Sequence, residues 1–545
     1  MKKLLLLVLL STAMMAAAQP TVGLLEYNIQ NTEGYVLFSP MQTHKTFLIN
    51  KCGEKINEWN SGVHPGLACY LLPDGNMLRA GIDSTNVSFG ISGGIIEKYD
   101  WAGNLVWSYT LSSTTECQHH DIHQMPNGNI LMIAWEKKTH AEALAAGRRP
   151  LLTGNAVWSE KIVEIEPSGP TTGNIVWEWH LWDHMVQHWD STKLNYGEIA
   201  GHPELVNVNQ FALAARPDWI HLNSVDYNPD LDQIVLSAHV FSEIWIIDHS
   251  TTTAQAASHA GGLSGKGGDL LYRWGNPIAY GRGTTADKKF FGQHNAQWIK
   301  PGTPDAGKII VFNNGLNRIP IEYSSIDIIS PPIDVNNNYS IDTVAAFMPD
   351  TLFWTYSATN PIDFFSTNIS GVEPLTNGSF LICSGFNGHF FEIDPHKNTK
   401  WQYTNPFNIN GAAEQGTPPE QNQVFRASFY LPSYAGLAGQ ILTPLGEIET
   451  NPTIPSICDA LGVGIETVEI TKENLLYPNP TQGILHFNLP QGKLADNVEV
   501  TNGFGQVVMQ DRNKTYLDVS SLPSGIYFIR IQTEGLSRGE KIIKY

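Results

Sequence analysis

The sequence is poor in charge, poor in cysteine and, beyond its first residues, free of long apolar runs. Charged residues make up 16% of the 545, and the basic ones are the minority, 33 Lys and Arg against 52 Asp and Glu, for a formal charge of −19. So acidic a chain has no means of holding polyanions, which excludes nucleic acid as a partner. No stretch after Leu10 approaches the ~20 apolar residues of a membrane-spanning helix. Five cysteines are too few for a disulfide scaffold. In an exported chain they suggest one or two disulfides; Cys52 and Cys69 are the nearest pair, and spacing alone does not fix the pairing. The glycine-rich run Gly261-Gly262-Leu263-Ser264-Gly265-Lys266-Gly267-Gly268 lacks the order of a phosphate-binding loop, because Gly267 follows Lys266, and reads as a flexible insertion. The hydrophobic fraction of 42% excludes wholesale disorder and supplies a large core.

The two ends stand apart from the middle. Met1-Lys2-Lys3, an apolar run over 4–10 and Ala16-Ala17-Ala18 describe a secretory signal peptide, residues 1–18, cleaved after Ala18. Near Ile465 the composition changes: every Trp lies between Trp59 and Trp401, and every Cys at or before Cys458. Alternating short strands at 484–487, 498–501, 507–509 and 527–531 predict a small C-terminal β-sandwich. The expected organisation is a leader over 1–18, a central domain over 19–463, a linker over 464–473 and a tail domain over 474–545. The tail carries Tyr477-Pro478-Asn479-Pro480, Asn502-Gly503-Phe504-Gly505-Gln506, Leu517-Asp518-Val519, Pro523-Ser524-Gly525-Ile526-Tyr527 and a terminal Lys541-Ile542-Ile543-Lys544-Tyr545. In these it resembles the C-terminal sorting domain of the type IX secretion system. That resemblance implies the secretion machinery as a partner, passage through the periplasm and outer membrane, and a secreted or surface location.

The middle is a repeat. An apolar strand, a polar turn and a strand ending in Trp recur, with Trp59, Trp107, Trp177, Trp274, Trp354 and Trp401 closing six copies; the fourth and fifth hold long insertions. A second hairpin accompanies most copies, turning at Pro73-Asp74-Gly75-Asn76, Pro126-Asn127-Gly128-Asn129, 228–232, 304–307 and Thr376-Asn377-Gly378-Ser379, where Gly and Asn supply the positive φ of tight turns. Two hairpins per unit make four strands, and repeated four-stranded units predict an all-β chain: a six-bladed β-propeller followed by the small sandwich. An array of β-sandwiches is the alternative.

Strand direction gathers the histidines. The strand after each closing Trp is the innermost of a blade, and it carries His64, then His119, His120 and His123, then His221 with Asn223, then His294; Arg426 has a similar place where the last segment returns to close the ring. The turn between second and third strands lies at the face where the inner strand begins, and it holds Glu136, His239, Arg318 and His389. The expectation is one mouth ringed by imidazole and guanidinium, suited to an anionic or metal-bound ligand. The run His119-His120-Asp121-Ile122-His123 lacks neighbouring Cys or clustered carboxylates, so no metal site is expected there.

At these residues the chain resembles the arylsulfate sulfotransferase family, exported six-bladed propellers that need no nucleotide donor. The matching stretches are Trp219-Ile220-His221-Leu222-Asn223-Ser224-Val225, 234–239, Gly292-Gln293-His294, Val311-Phe312-Asn313-Asn314-Gly315 with Arg318, Gly388-His389-Phe390-Phe391-Glu392-Ile393 and Phe425-Arg426-Ala427. The resemblance implies sulfuryl transfer from an aryl sulfate donor to a phenolic acceptor through a sulfohistidine, with no cofactor. It implies His389 as nucleophile, with His221, His294 and Arg318 around the transferring group; the mouth as read from strand direction adds Asn223, His239, Arg426, His64, His119 and His120 as expected substrate contacts. Two features depart from the family: Ala238 stands where many members have Arg, and the region before the first blade is too short for the N-terminal sandwich through which members pair, which leaves the oligomeric state open. Two other readings fit the same mouth, a propeller that binds sulfated or anionic ligands without turnover and a metal-dependent lyase or hydrolase.

Overall fold

Five of the six closing tryptophans lie in the outermost strand of an antiparallel sheet, and the sixth, Trp401, lies in a fourth strand with one more strand beyond it. The structure, a computed structural model, describes residues 20–90, 93–335, 337–339, 341, 345–452, 476–489, 493–502, 506–533 and 536–545. The expected leader, the linker over 464–473, Cys458 and the 503–505 turn lie outside them. The chain divides into two compact units, Met1–Pro455 and Ser456–Tyr545.

The first unit is a six-bladed β-propeller. Blade 2 runs Pro65–Leu71, Met77–Ile82, Gly94–Tyr99, Leu105–Thr110; blade 3 runs Glu116–Gln124, Ile130–Thr139, Ala156–Gly169, Thr172–His180. Blade 4 is Leu222–Asn228, Gln233–Ala238, Glu243–Asp248, Tyr272–Trp274, and blade 5 is His294–Trp298, Ile309–Asn313, Ser325–Ile329, Trp354–Tyr356. Blade 6, Gly371–Pro374, Phe380–Ser384, His389–Ile393, Thr399–Thr404, gains Gly23–Tyr27 as a fifth, outer strand. Blade 1 closes the ring from both ends of the chain: Val424–Tyr430 is its inner strand, and Tyr35–Pro40, Lys45–Asn50 and Lys55–Asn60 complete it. The expected insertions fall between third and fourth strands of blades 4 and 5.

Burial follows this radial order. A middle strand such as Gln233–Ala238 is buried throughout, whereas the outer Leu105–Thr110 buries little besides Trp107. The tryptophans also stitch blades together through the indole N–H, which donates to the third-to-fourth strand connection of the next blade. Trp59 reaches the Asp100 carbonyl at 2.8 Å, Trp107 that of Thr172 at 3.1 Å, Trp177 the Thr251 hydroxyl at 3.2 Å and Trp274 the Pro349 carbonyl at 2.7 Å. Trp401 completes the circuit on the Lys51 carbonyl of blade 1 at 2.6 Å. Trp354 instead stacks on Phe380 of blade 6. At the seam, Lys51 pairs with Glu392 at 2.7 Å, both buried, with its ammonium 3.9 Å above the Trp401 ring.

A disulfide is present, as expected, and the structure narrows the pairing that spacing left open. Cys52 is disulfide-bonded, but Cys69, Cys117 and Cys383 are free and buried, so Cys69 is not its partner. Cys52 sits in an outer turn of blade 1 and Cys69 in the inner strand of blade 2; nearness in sequence misleads because the chain crosses a whole blade between them. Among the described residues no helix is long and apolar enough to cross a membrane.

The second unit has a three-stranded sheet, Leu476–Tyr477, Ile484–Phe487 and Tyr516–Asp518, and a four-stranded one, Val507–Asp511, Asn497–Asn502, Gly525–Thr533 and Leu536–Lys544. They share a core of Leu476, Leu485, Val498, Val500, Leu517, Ile529 and Ile542.

Candidate functional site

The inner strands are not regular where they begin. Register shifts interrupt the pairing of first and second strands in blades 2, 3, 4 and 5. His120, His221 and Asn295 there adopt φ of 55°, 60° and 53°, a left-handed backbone that ordinary residues avoid. These bulges turn side chains of neighbouring blades toward one another at one opening of the channel.

The result is an unbroken file of imidazoles across three blades. Ring centroids lie 4.4 Å apart for His120 and His221, 5.4 Å for His221 and His239, and 5.0 Å for His239 and His294. Gly292 (φ 67°) permits the last approach, since a Cβ there would meet His239 Cε1 at 3.0 Å. Asn223 joins the strands beneath, donating from Nδ2 to the Gln293 carbonyl at 2.8 Å.

Carboxylates hold the file from behind. His221 Nδ1 bonds the Asp218 carboxylate. His119 is fully buried, its ring stacked 3.8 Å from that of Trp135, and it links His120 (Nδ1 to Nδ1, 2.7 Å) to Glu160 (Nε2 to Oε2, 2.9 Å). The other Glu160 oxygen accepts the Leu222 N–H at 2.9 Å. His119 is therefore a support for His120 and has no surface toward a ligand. His294 is anchored through Nδ1 to Asn314 Oδ1 at 2.7 Å, and Asn314 Nδ2 donates to the Ser366 and Ile369 carbonyls. His294 Nε2 and His239 Nδ1 have no hydrogen-bond partner among the described residues.

Charge is divided unequally along the file. Burial, reinforced by neighbouring imidazoles, holds His120 and His294 well below the ordinary imidazole range and takes His239 down to about 3. Burial opposes charge on His221 as well, yet the Asp218 carboxylate outweighs it, and this imidazole is raised. His221 is thus the ring in the file on which a proton is favoured, beside rings whose burial disfavours one. Burial raises Glu160 well above the usual carboxylate range, with the Asp218 charge adding to the effect.

The remaining expected residues are distributed around this file. Arg318 lies on the loop after Asn314; its guanidinium packs 4.0 Å from the Tyr323 ring and 5.2 Å from that of Phe291, and Nη2 donates to Ser325 Oγ at 3.1 Å. His389 opens the third strand of blade 6; its ring stacks on Phe391, Nδ1 lies 3.2 Å from the Thr404 hydroxyl, and burial lowers its pKa to about 4. These neighbours belong to the third and fourth strands of that blade, and among the described residues no hydrogen bond or ring contact links His389 to the file. His64 pairs with His44, centroids 4.1 Å apart. Glu136 bonds His180 and Lys138. Arg426 does not join the ring of histidines. Its Nη1 bonds Tyr70 and Asp121, and it lines, with His123 and Asp226, a cavity of about 1260 Å³ walled by the first-to-second strand turns at the opposite face.

Asp218, Glu160 and Arg216 were not identified from sequence. Arg216 is exposed, donates to the Asp218 carbonyl at 3.0 Å and opposes protonation of both His221 and His239. The Asp218-x-x-His221 spacing was a usable signal; nothing in sequence ties Glu160 to His119.

A family model described as arylsulfotransferase (ASST) matches residues 80–429, and a secretion system C-terminal sorting domain matches 475–545. A search of curated proteins returns no match. Similar solved structures include a protein of unknown function from Bacteroides caccae (12% identity, TM-score 0.39, covering 73% of this chain and 99% of that one). Virginiamycin B lyase from Staphylococcus aureus is another (10%, 0.33, 76% and 99%), as is hydrazine synthase from Kuenenia stuttgartiensis (12%, 0.32, 55% and 68%). These likenesses are too low to argue from; the propeller rests on its own sheet order.

Proposed function

Because the chain belongs to the arylsulfotransferase family and carries a type IX sorting tail that directs it to the cell surface or beyond, we propose that it moves a sulfuryl group from an aryl sulfate ester to a phenolic acceptor through a sulfohistidine. The observation that carries this reading is the file of four imidazoles in ring contact, in which Asp218 raises the pKa of His221 while burial lowers those of its neighbours.

The chemistry divides into two displacements. A neutral imidazole nitrogen donates its lone pair to sulfur; the N–S bond forms as the S–O(aryl) bond breaks and the electron pair leaves on the phenolate oxygen. His221 gives that oxygen its proton. The acceptor phenol then returns a proton to His221 while its oxygen attacks sulfur, and the N–S pair goes back to the ring. Arg318 offers fixed N–H donors to the sulfuryl oxygens as charge builds.

His294 has the features of the nucleophile: a neutral ring, fixed at Nδ1 by Asn314, with Nε2 free of partners among the described residues. His389, which the family resemblance indicates, is also neutral but packs toward the outer strands of its blade. Transfer from a chromogenic aryl sulfate to a phenol tests both. His294→Ala is expected to lose at least ~10³-fold in rate, and His389→Ala to retain most of it. Loss confined to His389→Ala returns the role to that residue, and a wild-type protein without transfer overturns the reading.

A further inference from the structure

Away from the channel, His184, His259 and Asp269 bring three donor atoms within 4.8 Å of one another. His184 follows the outer strand of blade 3. His259 and Asp269 belong to the insertion of blade 4, at either side of the glycine-rich run 261–268. His184 Nδ1 lies 2.8 Å and His259 Nδ1 2.7 Å from the same Asp269 oxygen. We propose that these three side chains bind a divalent transition metal ion of the zinc class, with two nitrogens and one carboxylate oxygen from the protein and water in the fourth position.

The tautomer of His184 points to this. Its Nε2 lies 2.7 Å from the Ala256 carbonyl, an atom that only accepts, so Nε2 carries the hydrogen. With Nε2 so engaged, His184 Nδ1 is the nitrogen turned at the carboxylate oxygen, and His259 directs a second ring nitrogen at that same oxygen. A nitrogen and a carboxylate oxygen at this distance need a proton or a metal ion between them, and a metal ion serves all three groups at once. A backbone carbonyl on the far nitrogen is the second-shell contact that orients metal-bound imidazoles. Zn–N and Zn–O bonds of about 2.0–2.2 Å place tetrahedral ligand atoms roughly 3.3 Å apart, so each imidazole nitrogen needs to draw back from the Asp269 oxygen by only about half an ångström. His259, 62% exposed, is free to make that movement, while His184 and Asp269 are buried at 0% and 9%.

The surroundings form a built site. The His184 ring lies parallel to Trp179, at 2°, and Trp179 donates to the Gly268 carbonyl at 2.7 Å. A Cβ on Gly268 would stand 2.0 Å from the Ala256 carbonyl oxygen and 2.6 Å from His184 Nε2, and one on Gly267 2.1 Å from the Ser258 carbonyl oxygen. The glycines thus let the insertion fold back so that His259 and Asp269 meet. The open side faces a pocket of about 300 Å³ that His259 lines with Met185, Tyr196 and His202. The ion would clip the insertion of blade 4 to the segment that leaves blade 3.

The untagged mature chain, stripped with chelator and reloaded with zinc, is expected to hold one equivalent more than its His259→Gln variant, by elemental analysis. Cobalt(II) in the same position should give the visible absorption of a four-coordinate ion, absent from the variant. Zinc should raise the melting temperature of the wild type and leave His259→Gln unchanged, because only a ligand bound to the folded state stabilises it. His259 is exposed, so its loss does not endanger folding; Asp269→Asn gives a second removal of one ligand. Equal zinc content and equal melting in wild type and His259→Gln overturn the site. So does a wild-type stability that follows pH but not zinc, the result expected if the three residues form only an imidazolium–carboxylate hydrogen-bonded group.

Discussion

The ring of His120 lies edge-on to that of His221, centroids 4.4 Å apart, yet burial keeps the first neutral while Asp218 draws a proton to the second. An acid at His221 gives transfer a definite pH dependence. The rate should fall as pH rises through the elevated His221 pKa, because the leaving phenolate then lacks its proton. Asp218→Asn removes the anion that outweighs burial, so the alkaline limb of the kcat/KM profile should move to lower pH. A limb that stays in place would show that His221 is not the acid.

Gly315 governs the loop that carries Asn314 and Arg318. At φ 79° it accepts a conformation that favours glycine, and a Cβ there would stand 1.7 Å from the Tyr323 carbonyl oxygen. Gly315→Ala should therefore displace both the His294 anchor and the guanidinium, lowering kcat at least ~10-fold while circular dichroism and the bulk of stability persist. A variant with wild-type kcat would detach the loop from catalysis.

Across the seam between blades 6 and 1, Trp401, Lys51 and Glu392 form the polar contact within a shared apolar cluster. Glu392→Gln leaves the Lys51 ammonium buried without its anion and should cost about 3–5 kcal/mol. Trp401→Phe removes the N–H to the Lys51 carbonyl and should cost about 1–3 kcal/mol. Denaturant unfolding measures both, and the two losses should not add, because the residues touch.

The propeller was legible because its signals are periodic. A Trp at each outer strand and a Gly or Asn at each hairpin recur whatever lies between, so even the long insertions of blades 4 and 5 did not obscure the count. His120, His221, His239 and His294 gather at one face for a related reason, since alternating strand direction returns each inner strand to the same opening, while His123 lines the opposite cavity. What sequence did not carry was local. The bulges at His120, His221 and Asn295 depend on pairing with a second strand. The Glu160 contact with His119 spans two strands of a sheet and has no spacing rule. Arg426 followed the register of its strand but points at the opposite cavity, because Tyr70 and Asp121 hold it there.

His249 supplies a test of blade packing that is independent of catalysis. It bridges two blades, with Nδ1 2.7 Å from Asp232 of blade 4 and Nε2 3.0 Å from Glu164 of blade 3. Burial opposes its charge, but the two carboxylates prevail and raise its pKa to about 9. The unfolded chain has an ordinary imidazole near pH 6.5. Below that value both states are protonated and the full contribution, about 3 kcal/mol by the size of the shift, is present. Between about 6.5 and 9 the unfolded state has lost its proton while the folded state keeps it, so stability should decline steadily across this window. His249→Gln should be less stable than wild type at pH 6 and should close most of that gap by pH 9.5. Denaturant midpoints measured across this range decide the point: a gap that does not narrow with rising pH would mean that the bridge is not made by an imidazolium.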